Sequence, residues 1–147
     1  MNKYYLAYGM NTSKASMEHR CPEARSLGKV VLPDHSLAFR GVCDIVKTPG
    51  TDMECALWTI TDACEHSLDQ LEGYPNFYSK KEVEVMYNGH IIQAMIYYMV
   101  NTEQLGFPGS YYLQMVADGY YDHNIDLEQI SQALKEVQKL DESYLCI

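Results

Sequence analysis

The chain has 147 residues, 47% hydrophobic and 21% charged, an ordinary globular composition with enough apolar material for one sizeable core. No apolar run approaches the roughly 20 residues of a membrane span, and Gly9 and Asn11 come too early for a secretory leader. A single cytoplasmic domain over residues 1–147, with no membrane partner, is therefore expected. The net charge of −9 argues against nucleic acid, whose binders carry basic patches, and an anionic substrate would need a local cluster of donors.

Lys3 to Tyr8 is rich in aromatics and reads as a strand. It runs into Gly9-Met10-Asn11, residue types suited to a tight turn, and a short helix follows from Ser13, with Thr12 or Ser13 as its cap, ending before Pro22. Strands are expected at Gly28–Leu32 and Ser36–Ile45, then a Pro49-Gly50 turn and a buried strand Glu54–Ile60. Asp62 to Leu71 has helical periodicity, with Cys64, Leu68 and Leu71 in one apolar stripe. Asp62 and Glu65 have capping-box spacing, and Gly73 and Pro75 mark the stop. Glu82–Tyr87 alternates and turns through Asn88-Gly89 into Ile91–Val100, the signature of a hairpin. A helix after Pro108 carries Tyr112, Met115 and Val116. A last one from Asp126 places Leu127, Ile130, Leu134 and Val137 on one side as a cover for the strands. About six strands with inserted helices make an α+β domain.

The five cysteines, Cys21, Cys43, Cys55, Cys64 and Cys146, form no Cys-x-x-Cys pair, and no Cys/His group has zinc spacing. Free thiols packed as small apolar residues are expected, with no metal site and no local signature of a catalytic cysteine.

Two segments bear on chemistry. Glu72 is an acid at a helix C-terminus, where the helix dipole favours cations and makes a carboxyl proton harder to lose. It reads either as an exposed helix-end glutamate or as a general acid/base with a raised pKa. The strand-to-helix turn Gly9-Met10-Asn11 reads either as an ordinary connection or as a cradle for a carboxylate or oxyanion. It is no phosphate loop, since neither Gly-x-Gly-x-x-Gly nor Gly-Lys-Ser/Thr occurs.

Tyr8-Gly9-Met10-Asn11, Arg20-Cys21-Pro22-Glu23-Ala24, Ala56-Leu57-Trp58 with Ile60, Leu71-Glu72-Gly73-Tyr74-Pro75 with Tyr78, and Pro108 through Tyr112 to Gly119-Tyr120 occur in that order. Together they resemble the γ-glutamylcyclotransferase-like, or AIG2-like, family. The resemblance implies a small twisted mixed β-barrel with flanking helices and one active-site cavity. It implies cyclisation of a small-molecule γ-glutamyl amide to 5-oxoproline, with release of an amine or amino acid and without a cofactor. In that frame Glu72 is the general acid/base, and Tyr8, Gly9, Met10, Asn11, Tyr78 and Tyr112 bind substrate. Family members usually carry serine where Met10 stands, so a binding module that keeps the cavity without turnover is the alternative reading. Arg20 either pairs with substrate or anchors the loop.

Overall fold

The computed structural model describes residues 2–145, with side chains through residue 140. The strands are β1 (Lys3–Ala7), β2 (Arg25–Phe39), β3 (Cys43–Ile60), β4 (Tyr78–Tyr87) and β5 (His90–Met99). The helices are α1 (Lys14–Arg20), α2 (Asp62–Leu71), α3 (Ser110–Asp122) and α4 (Glu128–Leu145), and a 3-10 turn, Met10–Thr12, joins β1 to α1. The strands form one sheet in the order β2-β3-β1-β5-β4. Only the central β1–β5 pair is parallel. The α+β class expected from the sequence is the class observed, with five strands in place of about six.

The strand count differs because two expected elements fuse. Ser36–Ile45 breaks at Arg40–Val42, and its two halves pair with each other, Phe39 opposite Cys43. Pro49-Gly50 does not end a strand. The β2–β3 ladder shifts register between Pro33 and His35, and the Gly50 amide donates to the Asp34 carboxylate at 2.8 Å, so the segment is a bulge in a long ribbon. Asp34 and Gly50 both have positive φ there, 60° and 85°.

The other hairpin forms as its sequence dictates. Asn88 and Gly89 both have positive φ, the requirement of a two-residue primed turn, and Tyr87 pairs with His90. In α2 the cap is Thr61 rather than Asp62. Its side chain accepts from the Cys64 amide at 3.1 Å, leaving Asp62 and Glu65 as acids in the first turn. α4 begins at Glu128, so Leu127 falls outside the apolar stripe and is 52% exposed, while Ile130, Ala133 and Val137 are buried. The Gln129 side-chain amide ties this helix to β3, donating to the Glu54 carbonyl and accepting from its N–H.

The free-thiol expectation is corrected at one pair. Cys21, the C-cap of α1, and Cys64, in the first turn of α2, form a disulfide with Cα atoms 5.3 Å apart. The two positions lie 43 residues apart in sequence, and only the packing of α1 beside α2 brings them together. Cys43 and Cys55 are free and buried, and Cys146 lies outside the described residues. Among the described residues no helix is long and apolar enough to cross a membrane.

Candidate active site

The end of β1, the end of α2 and the start of β3 converge on a cavity of about 200 Å³. Tyr8, Gly9, Met10 and Asn11 reach it from β1, Leu71 and Glu72 from α2, and Tyr78 from β4. Cys43 enters from β3 and Tyr112 from α3. All seven residues named from the sequence therefore line one cavity, although 104 positions separate Tyr8 from Tyr112.

The turn that carries Met10 and Asn11 is held tightly. Thr12 donates its hydroxyl to the Gly9 carbonyl at 2.6 Å, and the Tyr120 hydroxyl donates to the Tyr8 carbonyl at 2.8 Å. At Gly9 the surrounding packing leaves no space for a side chain. A Cβ there would lie 3.0 Å from the Cys43 Cβ and 3.2 Å from the Tyr112 hydroxyl. Gly119 is more constrained still, because a Cβ on it would stand 2.0 Å from the Thr12 hydroxyl. Helix α3 thus presses directly on the back of the turn.

Glu72 is the C-cap of α2 and is fixed on both sides. Its N–H donates to Leu68 and its carbonyl accepts from the Tyr78 N–H at 3.2 Å. Gly73 follows with φ 64°, the left-handed conformation that ends a helix without steric cost. The Glu72 carboxylate accepts from Asn11 Nδ2 at 3.3 Å. Asn11 also donates to the Tyr5 hydroxyl at 3.0 Å and accepts from Arg20 through its Oδ1. The result is a chain of contacts, Arg20 to Asn11 to Glu72. Burial pushes the Glu72 pKa up to about 7, against the opposing pull of Arg20 and the Asn11 hydrogen bond. The helix-end argument therefore gives the right direction, but desolvation is the first cause.

The remaining hydroxyls have protein partners. Tyr78 donates to the Cys43 carbonyl at 2.6 Å, Tyr112 accepts from the Cys43 N–H at 3.0 Å, and Tyr8 donates to the Tyr97 carbonyl at 2.7 Å. Burial raises the pKa of each of these phenols, so all three stay neutral donor–acceptors in the physiological range. Burial also lifts the Cys43 thiol to about 12, which removes it as a nucleophile at neutral pH. Met10 lines the cavity with its sulfur accepting from Arg20 Nη2 at 3.2 Å. Sequence reasoning missed Tyr5, which accepts from Asn11, and Tyr97, which packs edge to face with Tyr5 at 5.9 Å, because a strand tyrosine reads the same in a core or a cavity wall. Among the described residues no group of His, Cys, Asp and Glu has metal-binding geometry.

The family model for gamma-glutamyl cyclotransferase, AIG2-like, matches residues 5–122. A search of curated proteins found no match. Among solved structures, one titled gamma-glutamyl cyclotransferase superposes with a TM-score of 0.81 at 23% identity, covering 90% of this chain and 86% of that one. An uncharacterized protein from Homo sapiens gives 0.79 at 24%, with the same coverages of 90% and 86%. YkqA from Bacillus subtilis gives 0.77 at 20%, over 93% of this chain and 54% of that one. At these identities the likeness is one of fold.

Proposed function

The chain belongs to the gamma-glutamyl cyclotransferase, AIG2-like family, and from that premise we propose that it cyclises a γ-glutamyl amide to 5-oxoproline. The observation that carries the proposal is a single acid, Glu72, held by Asn11 in a tyrosine-lined cavity with its pKa near neutrality. An acid poised there is half protonated near pH 7, the condition under which one group serves both as base and as acid.

The reaction needs little else. The substrate's neutral α-amine attacks its own γ-carbonyl carbon, forming the ring C–N bond. Glu72 takes the proton released by the attacking nitrogen and delivers it to the leaving nitrogen as the amide C–N bond breaks. The products are 5-oxoproline and a free amine, with no net change in protons. Nucleophile and electrophile belong to one molecule, so the protein contributes orientation and proton transfer. Arg20 supplies positive charge for the substrate α-carboxylate, and the neutral hydroxyls of Tyr112, Tyr78 and Tyr8 line the space the glutamyl moiety would fill. Asn11 acts as a positioning residue, because its side-chain amide is already engaged by Glu72, Tyr5 and Arg20.

The test is a panel of γ-glutamyl amides and γ-glutamyl amino acids assayed for 5-oxoproline, with Glu72→Gln alongside. Product formation that depends on Glu72 supports the reading. Saturable binding across the panel without product favours a binding module, and unchanged turnover by Glu72→Gln removes Glu72 from the chemistry.

A further inference from the structure

The cavity has two unlike zones. Its floor is polar and mostly buried, built from the partly buried Glu72, Asn11 and the buried tyrosines Tyr5, Tyr8 and Tyr78. Its mouth is apolar and open. Phe77 is 54% exposed and Leu71 49% exposed, and Met10 and Val42 are partly exposed beside them. The chain brings Phe77 back over the site through the turn after Glu72, where the Phe77 N–H donates to the Gly73 carbonyl at 2.9 Å. The Phe77 ring then packs edge to face on Tyr78 at 5.2 Å. Isolated surface apolar side chains need no explanation, but these four converge on one opening.

Charge narrows the choice further. Among the described residues, the lining holds two charged side chains, Arg20 and Glu72. A γ-glutamyl head group brings one α-carboxylate, which Arg20 can match. A γ-glutamyl amino acid brings a second carboxylate that finds no cation in the lining, inside a protein of net charge −9. A γ-glutamyl diamine brings an ammonium whose only acidic partner would be Glu72, the group needed for proton transfer. An uncharged amine leaves no charge unmatched, and its hydrocarbon part meets four apolar side chains.

Building on the cyclotransferase reading, we propose that the preferred substrates are γ-glutamyl amides of uncharged, apolar alkyl or arylalkyl amines, with Phe77, Leu71, Met10 and Val42 selecting the leaving group. The reacting carbonyl sits on the floor beside Glu72, and the amine departs through the mouth it was selected by.

The test measures kcat/KM for the γ-glutamyl amides of ethylamine, butylamine and phenethylamine. Two charged counterparts accompany them: γ-glutamyl-phenylalanine, which adds a carboxylate to the phenethyl group, and the mono-γ-glutamyl amide of 1,4-diaminobutane, which adds an ammonium to the butyl group. Each buried methylene is expected to improve kcat/KM about fourfold. Each charged counterpart is expected to fall about fivefold below its neutral partner, the effect of one uncompensated charge at a partly exposed site. Phe77→Ala is expected to flatten the series and Phe77→Leu to preserve most of it. Equal or better turnover of the charged compounds, or indifference to chain length, overturns the proposal. Calorimetric titration of the same compounds into Glu72→Gln protein separates selection from chemistry. The same order of affinities with no turnover in the native protein would sink cyclisation and keep the apolar selectivity, whereas no binding by any compound would sink both.

Discussion

The two ends of α2 hold acids in opposite states. In its first turns Glu65 is partly buried, and burial alone would raise its pKa. Hydrogen bonds from Lys3 and Lys80 outweigh that and leave its carboxyl below the ordinary value. Cys64 fixes the same end covalently to α1. Further along the helix Asp69 shares Lys80, at 2.8 Å, and accepts the Tyr97 hydroxyl at 2.6 Å. At the C-cap, Glu72 has one neutral hydrogen-bond donor and a more distant guanidinium, and burial prevails. One helix thus carries acids tied down by lysines along its length and, at its C-cap, an acid with no cation in contact. What separates them is the number of cations in contact, since desolvation acts on both.

The largest expected effect tests the Glu72 end. Glu72→Gln should lower kcat/KM for 5-oxoproline formation about 10³-fold, within the usual range for a general acid/base, with an unchanged circular dichroism spectrum. At the anchoring end, replacing Cys21 and Cys64 together by serine frees a chain segment spanning 43 positions. It should cost about 4 kcal/mol on the chain-entropy account, read as a lowered urea midpoint. Glu72→Gln should also be more stable than the native protein at alkaline pH. Because Glu72 holds its proton more tightly folded, at about 7, than unfolded, near 4.5, the native protein loses stability as pH rises through that window. Removing the acid should therefore recover about 3 kcal/mol at pH 8 and next to nothing at pH 4, measured by urea unfolding at both. The smallest effect belongs to Glu65→Gln, about 1 kcal/mol of stability at pH 7 with the pH dependence of turnover unmoved. A change in that dependence would mean the two ends of the helix are coupled.

Legibility in the sequence followed the range of the physics. The α2 span, its stop at Gly73 and the Asn88-Gly89 hairpin are local, and periodicity or turn chemistry defines them within a dozen residues. The Cys21–Cys64 bond and the β2–β3 ribbon are not, because both depend on segments that meet only after folding. Pro49-Gly50 looks like a turn from its own residues, and only Asp34 on the facing strand makes it a bulge. The lining of the candidate cavity was legible as a set through its ordered motifs, while individual roles were not. Asn11 in isolation could serve substrate or loop, and its three partners show a side chain already committed to holding Glu72. Tyr5 and Tyr97 carry no signal at all, since thirteen tyrosines leave a cavity wall indistinguishable from a core.

The central claim is that a buried Glu72, titrating near neutrality, moves the proton. The pH dependence of kcat/KM for 5-oxoproline formation tests it most directly, followed in the native protein and in Arg20→Met, which removes the charge that opposes the effect of burial. The account predicts a rising limb centred near pH 7 in the native protein, displaced to higher pH in Arg20→Met, and absent from the residual rate of Glu72→Gln. A limb that stays in place in all three proteins would contradict it.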